Sequence, residues 1–257
     1  MNLNDIQLHG VGVGGEITIT FDNYNPTLPL LHHVTTPLSA ARNDLAGASV
    51  GGYALFGGGL AAAVSAVVDA YNTDLTRSTP TALSAARQLL AGASVGGYAL
   101  FGGGYTGAVS AVVDAYNTDL TRSTPTALSA ARQLLAGASV GGYALFGGGH
   151  TGAVSAVVDA YNTDLTRSTP TALSEARRYL TGASVGGYAL FGGGHTGAAY
   201  SAVVDAYGAF FQTHVFSIGN KYNFRGIEIV TTQPVTNLSL PTPINGYIKY
   251  KKGGIIS

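Results

Sequence analysis

The chain has no cysteine and no tryptophan, a single methionine and few charges. The absence of cysteine excludes disulfides, thiolate metal sites and cysteine nucleophiles, and it leaves the redox compartment open. Basic and acidic residues number 13 each, so the formal net charge is zero, and charged residues make up 10% of the 257. An ordinary soluble domain carries about a quarter. So little positive charge provides no basic stripe for nucleic acid or for an anionic membrane surface. No uninterrupted apolar run approaches the roughly 20 residues that span a bilayer. The opening MNLNDIQLHGVGVGGEITIT lacks a basic segment followed by an apolar one, so no secretory signal is expected. A surface this poor in charge is expected to be partly covered by neighbouring protein.

What is present is a repeat. Tyr53, Tyr98, Tyr143 and Tyr188 each follow Gly-Gly and precede ALFGGG at a constant spacing of 45. The repeats occupy residues 38–82, 83–127, 128–172 and, in part, 173–208, flanked by segments 1–37 and 209–257. The second and third differ only at Tyr105 against His150, which points to recent duplication or to deliberate copying. A period near 45 with paired glycines fits a propeller blade better than most solenoids.

Within residues 83–127 the expected strands are Leu90–Val95, Tyr98–Phe101, Ala108–Tyr116 and Leu120–Thr124, punctuated by Gly96-Gly97, Gly102-Gly-Gly104 and Asn117. Weak apolar/polar alternation suits strands buried on both faces. TALSAARQLLAG and AVSAVVDAYNTDL also read as short helices by propensity, which would give an α/β repeat. The Gly-Gly punctuation around Tyr-Ala-Leu-Phe is a hairpin signal and favours strands.

Arg87, then LLAGASVGGYALFGG, then Val113-Asp-Ala-Tyr-Asn117, resembles a kelch repeat over about two thirds of the chain. The tryptophan usual after the Tyr-Asp element of that family is missing, and its place falls near Leu120. The resemblance implies an all-β, kelch-like β-propeller of four-stranded blades. Oxidases built on kelch propellers use a cysteine-linked tyrosine, which this chain cannot form. A looser resemblance in the phrasing of the repeat is to phage and bacterial surface proteins. Ile17–Asn25 and Leu30–Thr36 resemble third and fourth strands, and 226–231 and 246–254 resemble first and second ones. The expectation is therefore about five blades, one of them a composite of N- and C-terminal strands, which would remove two exposed sheet edges. The alternative is four blades with a separate C-terminal β segment used for assembly.

Charge recurs with the repeat. Arg42, Arg87, Arg132 and Arg177 precede the first strand, and Asp69, Asp114, Asp159 and Asp205 lie in VDAY. Unpaired burial of such groups is costly, so they are expected to bond turns and neighbouring blades. The run from Asp69 to Asp74 lacks the spacing of a calcium loop. The triple glycines lack the Gly-Lys-Ser/Thr that completes a phosphate loop. Tyr105, His150 and His195 follow the triple glycine at the position where near-identical copies differ, and loop tips carry recognition. They are the candidate ligand or partner contacts.

These features give a first expectation of a non-catalytic structural or binding module with no cofactor and no metal, its partners being other protein subunits. A virion or tail-fibre setting and a homo-oligomer are part of that expectation. The alternatives are a lectin-like propeller contacting a surface glycan through Tyr105, His150 and His195, and an engineered repeat scaffold.

Overall fold

The Gly-Gly pair at the head of each repeat makes a two-residue hairpin. Gly51, Gly96, Gly141 and Gly186 adopt φ between +49° and +53°, a region that glycine enters without steric cost. Each turn joins two antiparallel five-residue strands in which Val50 pairs with Tyr53, Val95 with Tyr98, and so on. This computed structural model describes residues 7–11, 17–20, 32, 34–208, 220–224 and 227–231. Every regular element among them is a strand.

In chain order, β1 (Gln7–Val11) and β2 (Ile17–Thr20) form a hairpin. Sheet I contains β3 (Ala46–Val50), β4 (Tyr53–Gly57), β5 (Val68–Tyr71) and β6 (Arg77–Ser78). Sheet II contains β7 (Ala91–Val95), β8 (Tyr98–Gly102), β9 (Val113–Tyr116) and β10 (Arg122–Ser123). Sheet III contains β11 (Ala136–Val140), β12 (Tyr143–Gly147), β13 (Val158–Asn162) and β14 (Arg167–Ser168). Sheet IV has three strands, β15 (Thr181–Val185), β16 (Tyr188–Gly192) and β17 (Val204–Gly208). A second hairpin pairs β18 (Asn220–Phe224) with β19 (Ile227–Thr231). Residues 1–208 and 209–257 form two separate units. Within each of the four sheets the strands pair antiparallel in simple sequence order.

The helical reading of TALSAARQLLAG fails because its backbone is claimed from outside. Leu83 N–H donates to Ala66 O at 2.8 Å, Arg87 N–H to Ser65 O at 3.0 Å, and Gln88 bridges Tyr105. The segment is an extended linker sewn to the preceding repeat, and the described residues contain no helix. The third strand is shorter than expected, starting at Val113 and not at Ala108. Residues before it bond elsewhere: Ser110 N–H to Gly104 O, Val112 N–H to Ser110 Oγ, and Ala111 O to Leu128 N–H. The fourth strand shrinks to two residues because Asn117 organises a turn first. Its Oδ1 accepts from Asp119 and Thr121 N–H at 3.0 and 2.8 Å, with Leu120 held at φ +60°.

Successive sheets touch through their first strands and through the first strand of one against the second of the next, while third and fourth strands diverge. The residues follow that wedge. At the closest approach the backbones meet directly: a Cβ on Gly92 would lie 2.0 Å from Gly47 O. Gly137 meets Gly92 O, and Gly182 meets Gly137 O, at the same distance. A serine ladder runs alongside, with Ser49 N–H donating to Ser94 Oγ at 3.0 Å, Ser94 to Ser139 Oγ at 3.0 Å, and Ser139 to Ser184 Oγ at 3.1 Å. Farther out, large side chains fill the widening gap. The Phe101 ring sits 3.0 Å from where a Cβ on Gly57 would be, with Phe146 over Gly102 and Phe191 over Gly147. Each of these rings is fully buried. Three clusters result, one per pair of sheets, and each draws Ala, Val and Leu from one sheet and Ala, Phe and, at two of the three interfaces, a buried Tyr from the next. Blade-like repeats of this kind fit a β-propeller.

The composite blade is only partly within view. Ile17–Thr20 and Ile227–Thr231 are strands, but each pairs with the strand just before it. Residues 246–254 lie outside the described residues. Thr35 and Thr36, expected in a fourth strand, instead belong to the linker into sheet I, where Thr36 O accepts from Tyr71 Oη at 2.8 Å.

If the backbone contact governs stacking, Gly137→Ala, facing a carbonyl that cannot retreat, should lose about 3 kcal/mol. Gly97→Ala, with open space and no positive φ, should change stability by less than about 0.5 kcal/mol. Urea denaturation of the two variants checks the difference.

Candidate functional site

The recurring charges form one unit in each repeat. In sheet II, Asp114 stands opposite Phe101 in the ladder and is fully buried with Arg87. Arg87 Nη2 donates to Asp114 Oδ2 and Arg122 Nη1 to Oδ1 at 2.9 Å, while Ser84 N–H donates to Oδ1 at 3.0 Å. Arg87 Nη1 reaches Gly103 O at 2.9 Å. Sheet III repeats the pattern, with Arg132–Asp159 at 2.8 Å and Arg167–Asp159 at 2.9 Å. Sheet I places Arg42 at 2.9 Å and Arg77 at 3.4 Å from Asp69. In sheet IV Arg177 meets Asp205, which also accepts from Ser174 N–H at 2.9 Å.

Arg87 crosses a boundary between repeats. Its N–H and C=O bond to Ser65 and Gly59 of the preceding repeat, while its guanidinium braces its own. Burial pulls the Arg87 and Arg132 guanidinium groups below their usual pKa, and the facing Asp114 and Asp159 carboxylates oppose that pull. Arginine basicity lies so far above neutral that both stay cationic.

Burial also raises the phenols of Tyr116, Tyr161 and Tyr207, and the carboxylate of Asp114, Asp159 or Asp205 raises each further, to about 12 for Tyr207. Each hydroxyl donates to a linker carbonyl: Tyr116 to Thr81 at 2.7 Å, Tyr161 to Thr126 at 2.7 Å and Tyr207 to Thr171 at 2.9 Å.

The triple glycines serve strand crossing. Gly103 N–H donates to Val112 O at 3.0 Å and Gly104 N–H to Arg132 O of the next linker at 2.8 Å, so these amides are already engaged. Gly104 has φ +107°, and a Cβ there would lie 2.8 Å from Gln88 O. Tyr105, His150 and His195 then sit half-buried, bridged on one side to Gln88, Gln133 or Arg178 and on the other to Val109, Val154 or Tyr200. They are not the loop tips; the exposed tips are Thr106–Ala108, residues 61–63 and 151–153 in sheets I and III, and 197–199 in sheet IV. His195 Nδ1 accepts from Gly197 N–H at 2.9 Å, and its ring lies edge-on to Tyr200 at 5.3 Å. His150 Nδ1 and Gly152 N–H stand 3.4 Å apart. The three candidates occupy equivalent places in separate repeats. Among the described residues no three His, Cys, Asp or Glu side chains gather as a metal site.

Two shallow cavities draw equivalent residues from all four sheets. One, of about 320 Å³, is lined by the Gly-Ala-Ser triplets of the first strands. The other, of about 300 Å³, is lined by Leu45, Leu90, Leu135 and Leu180 together with the residues before them. Those preceding residues, Asp44, Leu89, Leu134 and Tyr179, have φ between +51° and +57° and are linked by backbone bonds of 3.0 Å from each N–H to the C=O one repeat earlier.

Sequence reasoning passed over the second arginine of the charge unit (Arg77, Arg122, Arg167), the serine ladder, and the pairing of each phenylalanine with a glycine of the sheet before it. All recur at the repeat spacing, which was the available signal; what they touch depends on how sheets stack. No protein-family model matches the chain, and no curated protein matches it.

Two outcomes follow. Replacing Asp114 by Asn leaves two arginines facing a neutral amide and should cost about 3–5 kcal/mol, whereas the double change Arg87→Met with Asp114→Leu should cost less than the sum of its single changes. Denaturant titration of the unaltered chain and the four variants measures this. For pH, a phenol whose folded pKa exceeds its unfolded value of 10 gives stability present below pH 10 and lost as pH rises through the folded value. Stability should therefore fall as pH rises from 10 to about 12, and Tyr207→Phe should remove its share of that fall and leave the shares of Tyr116 and Tyr161, as read by urea midpoints across the range.

Proposed function

We propose that the chain is a non-catalytic structural and binding module, a kelch-like propeller scaffold serving other protein subunits on a particle such as a phage virion or tail fibre. The carrying observation is how the repeated polar groups are used. In each of the four sheets the recurrent aspartate is bound by an arginine and by a serine N–H of its own repeat. The second amide of the glycine run is likewise used within the scaffold in sheets I to III, where Gly59, Gly104 and Gly149 N–H donate to the arginine carbonyl of the next linker. Repeated chemistry of this kind holds a scaffold together. The exposed apolar residues concentrate on the end sheets, at Phe56, Val185, Val203 and Val204. Low overall charge agrees with a surface meant for protein contact.

A glycan array run beside light-scattering mass measurement tests the reading. The expected result is a mass above the 26.1 kDa of one chain and no sugar signal that depends on Tyr105, His150 and His195. Sugar binding abolished by replacing those three with alanine would move the assignment to a lectin. A chain that stays monomeric and binds no virion component contradicts the proposal outright.

A further inference from the structure

The contact between successive sheets joins two unlike faces, and among the described residues one of each is left uncovered. Phe101, Phe146 and Phe191 are fully buried over glycines of the preceding sheet, but Phe56, their equivalent in sheet I, is 37% exposed. Gly47 has nothing nearer than 4.0 Å where Gly92, Gly137 and Gly182 each meet a carbonyl. At the other end the glycine socket at Gly192 holds no ring, and a Cβ there would meet only Val204 of its own sheet at 3.5 Å. Val204 is 61% exposed, against 1% for Val113 and Val158.

We infer that sheet I of a second copy of this chain seats on sheet IV, head to tail, so that the interface made three times within the chain is made once more between chains. The inference rests on reading the chain as a subunit-binding module. The two faces match residue by residue. Gly47 takes the place opposite Gly182 O that Gly92 takes opposite Gly47 O. Phe56 covers Gly192, and Leu45 lies on Gly193 as Leu90 lies on Gly58. Gly194 N–H donates to Arg42 O as Gly59 N–H donates to Arg87 O at 2.8 Å. A head-to-tail contact of this type either closes a ring or continues as a stack.

By sequence, the two hairpins described outside the four sheets match these faces less well. Ile227–Thr231 has no glycine to stand against Gly182 O. Leu8–Thr20, read as a third strand from its Ile17 half, can also be set by sequence against Leu45–Gly57. Its register differs, Gln7 pairing with Thr20 where the repeat pairs Ala46 with Gly57, and it puts Ile19 and Thr20 where Phe56 and Gly57 stand. It therefore supplies neither a ring for the Gly192 socket nor a glycine to receive Phe56.

The absence of cysteine makes the test direct. Ser49 and Ser94 Oγ lie 3.4 Å apart across the internal interface, so Ser49 of one copy should approach Ser184 of another equally. Ser49→Cys and Ser184→Cys are prepared as separate full-length proteins, mixed and oxidised. The expected product is a mixed disulfide at least ten-fold in excess of either self-paired dimer. Gly192→Leu, whose Cβ would meet only Val204 of its own sheet at 3.5 Å, should reduce that product at least ten-fold. If light scattering shows an oligomer but no mixed disulfide forms, the head-to-tail contact is overturned while the subunit-binding reading stands. If the unmodified chain is monomeric at every concentration and no mixed disulfide forms, both fail.

Discussion

The backbone of one inner strand lies directly on the next, at a distance that admits no side chain between them. That contact, 2.0 Å from carbonyl oxygen to an imagined Cβ at Gly92, Gly137 and Gly182, sets the rest of the repeated architecture. Where the sheets meet only Gly, Ala and Ser can stand, and the serines convert the close approach into a hydrogen-bonded ladder. Because neighbouring sheets diverge from that line, the gap must be filled by progressively larger groups. Phe101 and Tyr116, edge-on at 6.0 Å, do this for sheet II, and their equivalents do so for the others.

The second constraint is that sheets meeting through small residues need another means of fixing their orientation. The linker arginine supplies it. Its backbone is bonded into one repeat and its guanidinium into the next, so neither sheet can tilt without breaking a buried ion pair. Such pairs are costly to leave half-made, and here each carboxylate has several donors. A chain with little charge thus concentrates much of it at the places where order between repeats is decided. Stability in such arrays is shared between each repeat and its neighbours, and a terminal sheet without a neighbour carries an unsatisfied interface.

Much of the fold is legible in the sequence because the Gly-Gly hairpins and the 45-residue spacing are local signals. The first two strands of each repeat lie within a residue of their expected bounds. The third and fourth were overextended because the competing bonds come from distant residues: Leu128 claims Ala111, and Asn117 closes its turn before β10 begins. TALSAARQLLAG keeps its helical propensity, but tertiary bonds from the preceding repeat override it. At the candidate site, the recurrence of Arg87 and Asp114 was visible, whereas Arg122 as a third partner was not, since it depends on the β9–β10 register. Tyr105, His150 and His195 read as loop tips because they follow glycines; the bridges to the linker that half-bury them join residues 17 apart, such as Gln88 and Tyr105. The phenylalanine-on-glycine contacts relate residues 44 apart, Gly57 with Phe101 for example, and become readable only once the sheets are stacked.

The claim at the centre of this account is that, among the described residues, the internal interface is left open at both ends of the four sheets and is completed by another copy. Hydrogen–deuterium exchange followed against protein concentration tests it most directly. Sheets I and IV can be told apart from the inner copies, because Asn43-Asp44 and Arg178-Tyr179 mark them. The account predicts that protection in Ala46–Val50 and Thr181–Val185 climbs with concentration toward that of Ala91–Val95. Protection in both strands that is already equal to the inner sheets and independent of concentration would contradict it.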